Sequence, residues 1–170
     1  ASPLELYRAP EKLIYRFINR QLVFAYDDRQ RLTLNRCNVV IPHIPGLDMR
    51  YIMAILNSRV AQYIYEKRYN AVKVLRSHIE NIPVPVADEE TQRRIISKAE
   101  ELMAEELMAE ELITESSVNS EMQTYKTGKD YLQRYRLYEE IDDIVRKLYS
   151  VTDEEYEFIK QSLSGDKYML

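Results

Sequence analysis

Two prolines one residue apart, in Ile82-Pro83-Val84-Pro85-Val86, limit what this 170-residue chain can fold into more than any other feature. Each lacks a backbone N–H and holds φ near −65°, and each pushes the residue before it out of the α region. The stretch cannot lie inside a helix, so it reads as an edge strand or a polyproline-like strap. It also separates two unlike patterns. Before it, short runs rich in β-branched and aromatic residues are broken by polar turns. After it, from Asp88, which reads as an N-cap, the pattern is helical.

Charge divides at the same place. Residues 1–86 hold 13 Lys/Arg against 7 Asp/Glu, whereas residues 87–170 hold 11 against 21. The net charge of −4 therefore hides a basic half suited to a polyanion and an acidic half that a polyanion would repel. The acidic half is also what solvated helix faces look like. Composition is that of a globular chain, 45% hydrophobic and 31% charged, with 3 Gly and 6 Pro. No apolar run approaches the roughly 18 residues of a membrane helix. Ala1 to Leu6 carries no basic start and no apolar core of a secretory signal. The single cysteine, Cys37, excludes an internal disulfide and fits a reducing cytoplasm. The opening Ala1-Ser2-Pro3 reads as the start of a fragment cut from a longer protein.

In the basic half, Lys12–Ile18, Gln21–Tyr26, Arg31–Leu34 and Asn38–Ile41 read as strands, with Asp27 to Gln30 as a polar turn. Together they predict an antiparallel meander with one buried face. A helix opening at Asp48 or Met49 follows, with Ile52, Ile55, Leu56, Val60 and Tyr63 on one side and Lys67-Arg68 at its end. Ser77-His78-Ile79-Glu80 has the form of a capping box and predicts one helical turn. Beyond Asp88, Ile95, Ala99, Leu102 and Met103 form a stripe. A tandem repeat then appears: EELMA at 100–104, EELMA at 105–109 and EELIT at 110–114. A five-residue step advances about 140° net around a helix, so its apolar pairs spiral instead of forming one stripe. That leaves a solvent-facing extension or a second partner surface. Thr114 to Gly128 reads as a linker. Leu137, Ile141, Ile144, Val145 and Leu148 make a further apolar face. Thr152-Asp153-Glu154-Glu155 is a second capping box, launching Tyr156, Ile159 and Leu163. These last two elements are expected to pack as a helical hairpin. Boundaries follow at 1–87, 88–127 and 128–170.

No catalytic or metal constellation is visible. There is no Gly-rich phosphate loop, HExxH, paired-cysteine site or Gly-x-Ser-x-Gly elbow. His43 reads as a loop residue and Cys37 as a small buried hydrophobe. What the basic half does offer is cations, amides and tyrosines interleaved: Arg16 and Arg20, Asn35 and Arg36, Lys67 and Arg68, then Lys73, Arg76, Ser77 and His78. Arg and Lys neutralise phosphates, Arg also forks onto guanine, and Asn bridges the two major-groove groups of adenine. Such residues suit duplex DNA, and they also occur on ordinary surfaces.

The run of words narrows this further. Tyr15-Arg16, Phe24 to Asp28 (FAYDD), Leu34-Asn35, Ile41-Pro42, Ile55 to Ser58 (ILNS) and Ile82 to Pro85 (IPVP) occur in the order seen in one family. The chain from Tyr15 to Ile96 resembles the TaqI-like C-terminal specificity domain of adenine-N6 DNA methyltransferases. Tyr138 to Ile159 is similar to the ending of fused type II restriction–methylation enzymes, except that Ser150 stands where that ending usually has Gly. The repeat and the linker have no counterpart there. The resemblance implies a division of labour: a separate domain would bind S-adenosylmethionine and carry an Asn/Asp-Pro-Pro-Tyr motif, and a nuclease module needing Mg would lie elsewhere. Neither cofactor is expected on this fragment, in which no proline is followed by Pro-Tyr. The implied partners are double-stranded DNA and the N-terminal methyltransferase and nuclease domains of the parent chain. Lys67, Lys73, Arg76 and Ser77 are then the best phosphate contacts, and Arg16, Arg20, Asn35 and Arg36 the best base readers. The competing reading is a protein-interaction module that docks a methyltransferase or nuclease subunit without touching bases. The expected fold is α+β: a small, mostly antiparallel sheet with a packed helix, followed by long C-terminal helices forming a hairpin or spacer.

Overall fold

The computed structural model describes residues 4–33, 37–115 and 120–165, with side chains described outside 107–130. Its elements run α1 (Leu4–Tyr7), β1 (Lys12–Arg16), β2 (Phe24–Asp27), β3 (Cys37–Val40), α2 (Met49–Leu56), α3 (Arg59–Tyr69), α4 (Arg76–Glu80), α5 (Glu89–Glu115), α6 (Ser120–Leu148) and α7 (Asp153–Ser162). The fold is α+β, with one small antiparallel sheet and long C-terminal helices.

The sheet order is β2-β1-β3, so β1 is central and the expected meander order is not formed. Leu13 faces Tyr26 on one side and Val40 on the other, and Tyr15 faces Phe24 and Asn38. Leu13, Tyr15 and Phe24 are buried, forming the inner face of the sheet. The outer face holds a charge at its first position: Lys12 is fully buried, with Nζ 2.5 Å from Asp27 Oδ2 and 2.8 Å from the carbonyl of Tyr7. Burial alone would push the Asp27 carboxyl up, but hydrogen bonds from Lys12 and from the backbone N–H groups of Arg31 and Arg29 leave it below the usual carboxylate range. The same carboxylate thereby closes the polar turn expected after Asp27.

Of the second expected strand only Phe24 to Tyr26 pairs in the sheet, in a strand that runs on to Asp27, because side-chain amides take the backbone just before it. Gln62 accepts from Leu22 N at 2.7 Å and donates to Arg20 O at 3.0 Å. Asn57 accepts from Phe24 N at 2.8 Å and donates to Phe24 O at 2.9 Å. Each amide presents one donor and one acceptor, as a neighbouring strand would. Arg31 to Thr33, expected as strand, has no regular structure, and Leu34 lies outside the described residues.

The helix expected from Met49 to Arg68 is two helices, broken at Asn57-Ser58. Asp48 caps α2 by accepting from Arg50 N at 2.8 Å, and Ser58 caps α3 by accepting from Ala61 N at 3.2 Å. The break resets the helical phase, so Tyr65 is buried on α3 while Tyr63 is only half-buried. All six residues from Tyr51 to Leu56 are buried, because α2 lies between the sheet and α5. Asp88 caps α5 through Thr91 N at 2.7 Å, and the expected stripe of Ile95, Ala99 and Leu102 is buried. All three copies of the repeat are helical within α5; their side chains from residue 107 onward lie outside the described residues.

Two expectations about the acidic half change. Ser120 to Gly128, read as linker, lies within α6. The helical hairpin is formed by α5 and α6, with Lys98 bonded to Glu140 and Tyr138 bonded to Glu106, whereas α7 packs chiefly on α3. The Thr152 capping box does form: Glu155 N donates to Thr152 Oγ1 at 3.2 Å and Thr152 N to Glu155 Oε2 at 2.8 Å. The strap is held by two tyrosines, Tyr51 donating to Pro85 O at 2.7 Å and Tyr149 donating to Pro83 O. Burial pushes the Tyr51 hydroxyl up to about 12.

The halves are joined by a buried ionic node. Asp142 on α6 accepts from Arg59 N at 2.9 Å, lies 3.5 Å from the Arg59 guanidinium, and accepts from the Tyr156 hydroxyl. The guanidinium also reaches Tyr156 Oη at 2.9 Å and Glu139 at 2.6 Å. Burial works against the charge on Arg59, but Glu139, Tyr156 and Asp142 outweigh it and hold its proton more firmly than usual. Removing one partner of such a node leaves the other charge buried and uncompensated. Asp142→Ala is therefore expected to cost about 3–5 kcal/mol in chemical denaturation, and Tyr156→Phe about 1 kcal/mol. A loss below about 1 kcal/mol for Asp142→Ala would mean that the node does not join the halves.

Candidate nucleic-acid interface

The end of β1 gains a partner from far along the chain. Asn70 ends α3 in the left-handed conformation (φ 37°), which asparagine tolerates better than most residues. The chain doubles back, and the Tyr65 hydroxyl steadies the return through Ala71 O at 3.1 Å. Asn19 N then donates to Val72 O at 3.0 Å and Val74 N to Phe17 O at 2.7 Å. These two bonds flank an antiparallel bridge between Ile18 and Lys73. A short two-stranded ribbon results, paired over Phe17 to Asn19 on one side and Val72 to Val74 on the other.

Burial alternates along the first strand, whereas on the second both Val72 and Lys73 are exposed before buried Val74. Tyr15 and Val74 are buried, while Arg16, Ile18, Arg20, Lys73 and Leu75 are exposed. Four of the residues expected at a DNA surface, Arg16, Arg20, Lys73 and Arg76, thus come together on or beside one outward face. Ser77 is exposed in α4, directly after Arg76. Arg76 is 79% exposed and bonds Glu80 at 2.6 Å one helical turn on. It also lies close enough to Tyr15 to favour that tyrosine's ionised form, although burial is the larger effect and leaves the hydroxyl raised. Among the described residues, Arg16, Arg20, Lys67 and Lys73 form no salt bridge.

The remaining expected residues are placed differently. Asn35 and Arg36 lie outside the described residues, immediately before β3, whose Cys37 faces Arg16. Lys67 sits over the Tyr63 ring, 5.4 Å from its centre, toward α7. Arg68 donates to Asn81 O at 2.7 Å, securing the end of α4. His78 stacks on Tyr69 with ring centres 4.1 Å apart, and its Nδ1 accepts from Leu75 N at 3.3 Å. The helical turn expected at 77–80 therefore forms as Arg76–Glu80, with His78 closing its start in the role expected of Glu80. Residues missed in the sequence are Asn57 and Gln62, whose amides position the strand leading into β2. Nothing in their spacing distinguishes them from surface amides; only the ILNS word marks Asn57.

Several cations of the acidic half are used internally. Lys98 and Arg136 pair with Glu140, Arg146 with Asp143 and Asp153, and Lys147 with Asp143. Among the described residues, no group of three or more His, Cys, Asp or Glu is placed to hold a metal ion, and no helix is long and apolar enough to cross a membrane.

Fold and surface together define an α+β module whose polar side chains are spread over a face instead of converging on a cleft. Residues 1–84 match the TaqI-like C-terminal specificity domain family, and that part of the chain is such a domain. The C-terminal helices lie outside the match. No curated protein and no solved structure matches the chain. If His78 braces α4 as its contacts indicate, His78→Ala should speed amide exchange at residues 76–80, by about 1 kcal/mol of local stability. Exchange in α2 should stay unchanged; equal acceleration there would show a global role instead.

Proposed function

We propose that this chain recognises a DNA target sequence as the C-terminal specificity part of a restriction–modification adenine-N6 methyltransferase, of the type II class that fuses restriction and methylation. The observation that carries the reading is the set of cations without carboxylate partners, Arg16, Arg20 and Lys73, displayed with Arg76 within the matched domain. Unpaired cations on a rigid ribbon gain most from phosphates, whose counterions they release. In the same enzyme a duplex would be read at base edges while the target adenine is turned out of the stack elsewhere.

The supporting partners are then double-stranded DNA and the methyltransferase and nuclease domains of the parent chain. Those domains would hold S-adenosylmethionine and Mg and carry the catalytic groups. Lys67, Lys73, Arg76 and Ser77 are assigned to phosphates, and Arg16, Arg20, Asn35 and Arg36 to bases. The acidic helices, with several of their own cations neutralised, serve as a spacer or dock onto the catalytic domain and are kept off the duplex by charge. The likeness of Tyr138 to Ile159 to the ending of fused enzymes supports that assignment, and a DNA-acting protein of this kind works in the cytoplasm.

The test is fluorescence anisotropy of the chain on duplex DNA at stepped salt. The three cationic phosphate contacts, Lys67, Lys73 and Arg76, predict a slope of log K against log salt near −2.7, a loss of about 40-fold between 50 and 200 mM. Lys73→Ala and Arg76→Ala should each weaken binding and flatten the slope by about one. Absence of binding at low salt would instead support the protein-interaction reading.

A further inference from the structure

The ribbon that displays the cations also displays large apolar side chains. Ile18 is 58% exposed and Leu75 50% exposed, although single exposed residues of this kind are ordinary. Their arrangement is not ordinary. The bonds Asn19 N to Val72 O and Val74 N to Phe17 O make Ile18–Lys73 a non-hydrogen-bonded pair, the kind in which facing side chains approach most closely. Leu75 is two residues beyond Lys73, with buried Val74 between them, so it shares the outward face. Arg16 is two residues before Ile18 and shares it too. One outward face therefore alternates cation and hydrocarbon: Arg16 then Ile18 on one strand, Lys73 then Leu75 on the other, with Arg76 at the edge.

A protein partner would be expected to meet exposed hydrocarbon with hydrocarbon, but here cations bracket it, of which Arg16 and Lys73 form no salt bridge among the described residues. The matching surface must be polyanionic at its rim and carry apolar groups within. A two-stranded ribbon fits the major groove of B-form DNA, where phosphates line the edges and the thymine C5-methyl is the apolar group on the floor. We infer that Ile18 and Leu75 are specificity-determining residues that touch thymine methyl groups in the major groove while Lys73 and Arg76 hold the flanking phosphates and Arg16 reaches a neighbouring base. The inference rests on the DNA-recognition reading and adds to it the groove and the base feature that is read.

The experiment begins with selection of the 170-residue chain on a randomised duplex library. Each thymine of the enriched site is then replaced by deoxyuridine, which removes the methyl and keeps the base pair. The expected result is a several-fold weaker complex for deoxyuridine at one or two positions. In Ile18→Ala or Leu75→Ala that loss should disappear, since the exposed side chains can be truncated without opening a cavity. Lys73→Ala should weaken every duplex yet keep the deoxyuridine penalty. Enrichment of a site on which deoxyuridine costs nothing anywhere overturns the inference and leaves DNA recognition standing, as does a penalty that survives in both alanine variants. Failure of the unaltered chain to enrich any sequence overturns both.

Discussion

The carboxylate of Asp142 sets the position of α3, and much of the basic face follows from that placement. A buried carboxylate is costly unless its oxygens are filled, and here the Arg59 backbone N–H, the Arg59 guanidinium and the Tyr156 hydroxyl all converge on it. The bond to Arg59 N adds a negative charge at the first turn of α3, where the helix dipole favours it. With α3 fixed at its start, Gln62 is aimed at Leu22 and Arg20, and Tyr65 at Ala71. Asn70 then turns the chain so that Lys73 meets Ile18. A residue of the acidic half thus determines where the cations of the basic half stand.

That dependence gives the acidic half a structural meaning that its charge alone conceals. Among the described residues, Glu140, Asp143, Asp153 and Glu157 pair with its own cations, and burial draws it into the same core as the sheet: Ile95, Ala99, Leu102, Leu137, Ile141 and Val145 join Leu13, Phe24 and Ile55 in one cluster. The contrast between paired and unpaired cations is sharper than the difference in net charge. Arg146 has two carboxylate partners, whereas Arg16 and Lys73 have none among the described residues. Exposed ion pairs contribute little to stability, so an unpaired surface lysine costs the fold little and keeps its charge for a partner.

Legibility in the sequence tracked how local each determinant is. The caps at Asp48, Asp88 and Thr152, the stripe from Ile95 to Leu102 and the strap were readable because each depends on residues within a turn of one another. The break at Asn57-Ser58 was not, since Ile52 to Tyr63 keep helical spacing and the amide partner of Asn57 is 33 residues away. Sheet order escaped for the same reason: the pairing of β1 with β3 is set by a crossing that no local pattern encodes. Ser120 to Gly128 misled because Ser, Thr and Gly weaken helix propensity without forbidding it. At the surface, Lys73 and Arg16 were readable as cations, but their meeting at Ile18 needed the left-handed turn at Asn70.

The strap shows why the family match at residues 1–84 does not mark the limit of the folded body. Its two prolines cannot donate, so it joins no ladder, and its carbonyls take side-chain donors instead. Tyr51, from α2 within the matched segment, binds Pro85 O, while Tyr149, from just beyond α6, binds Pro83 O. Each carbonyl thus ties the strap to a different half. Burial raises both the Tyr149 and the Tyr51 hydroxyl above the ordinary tyrosine range, so both are donors at neutral pH. The strap is consequently a fixed joint: it sets where α5 begins, and α5 in turn covers the side of α2 that the sheet leaves open.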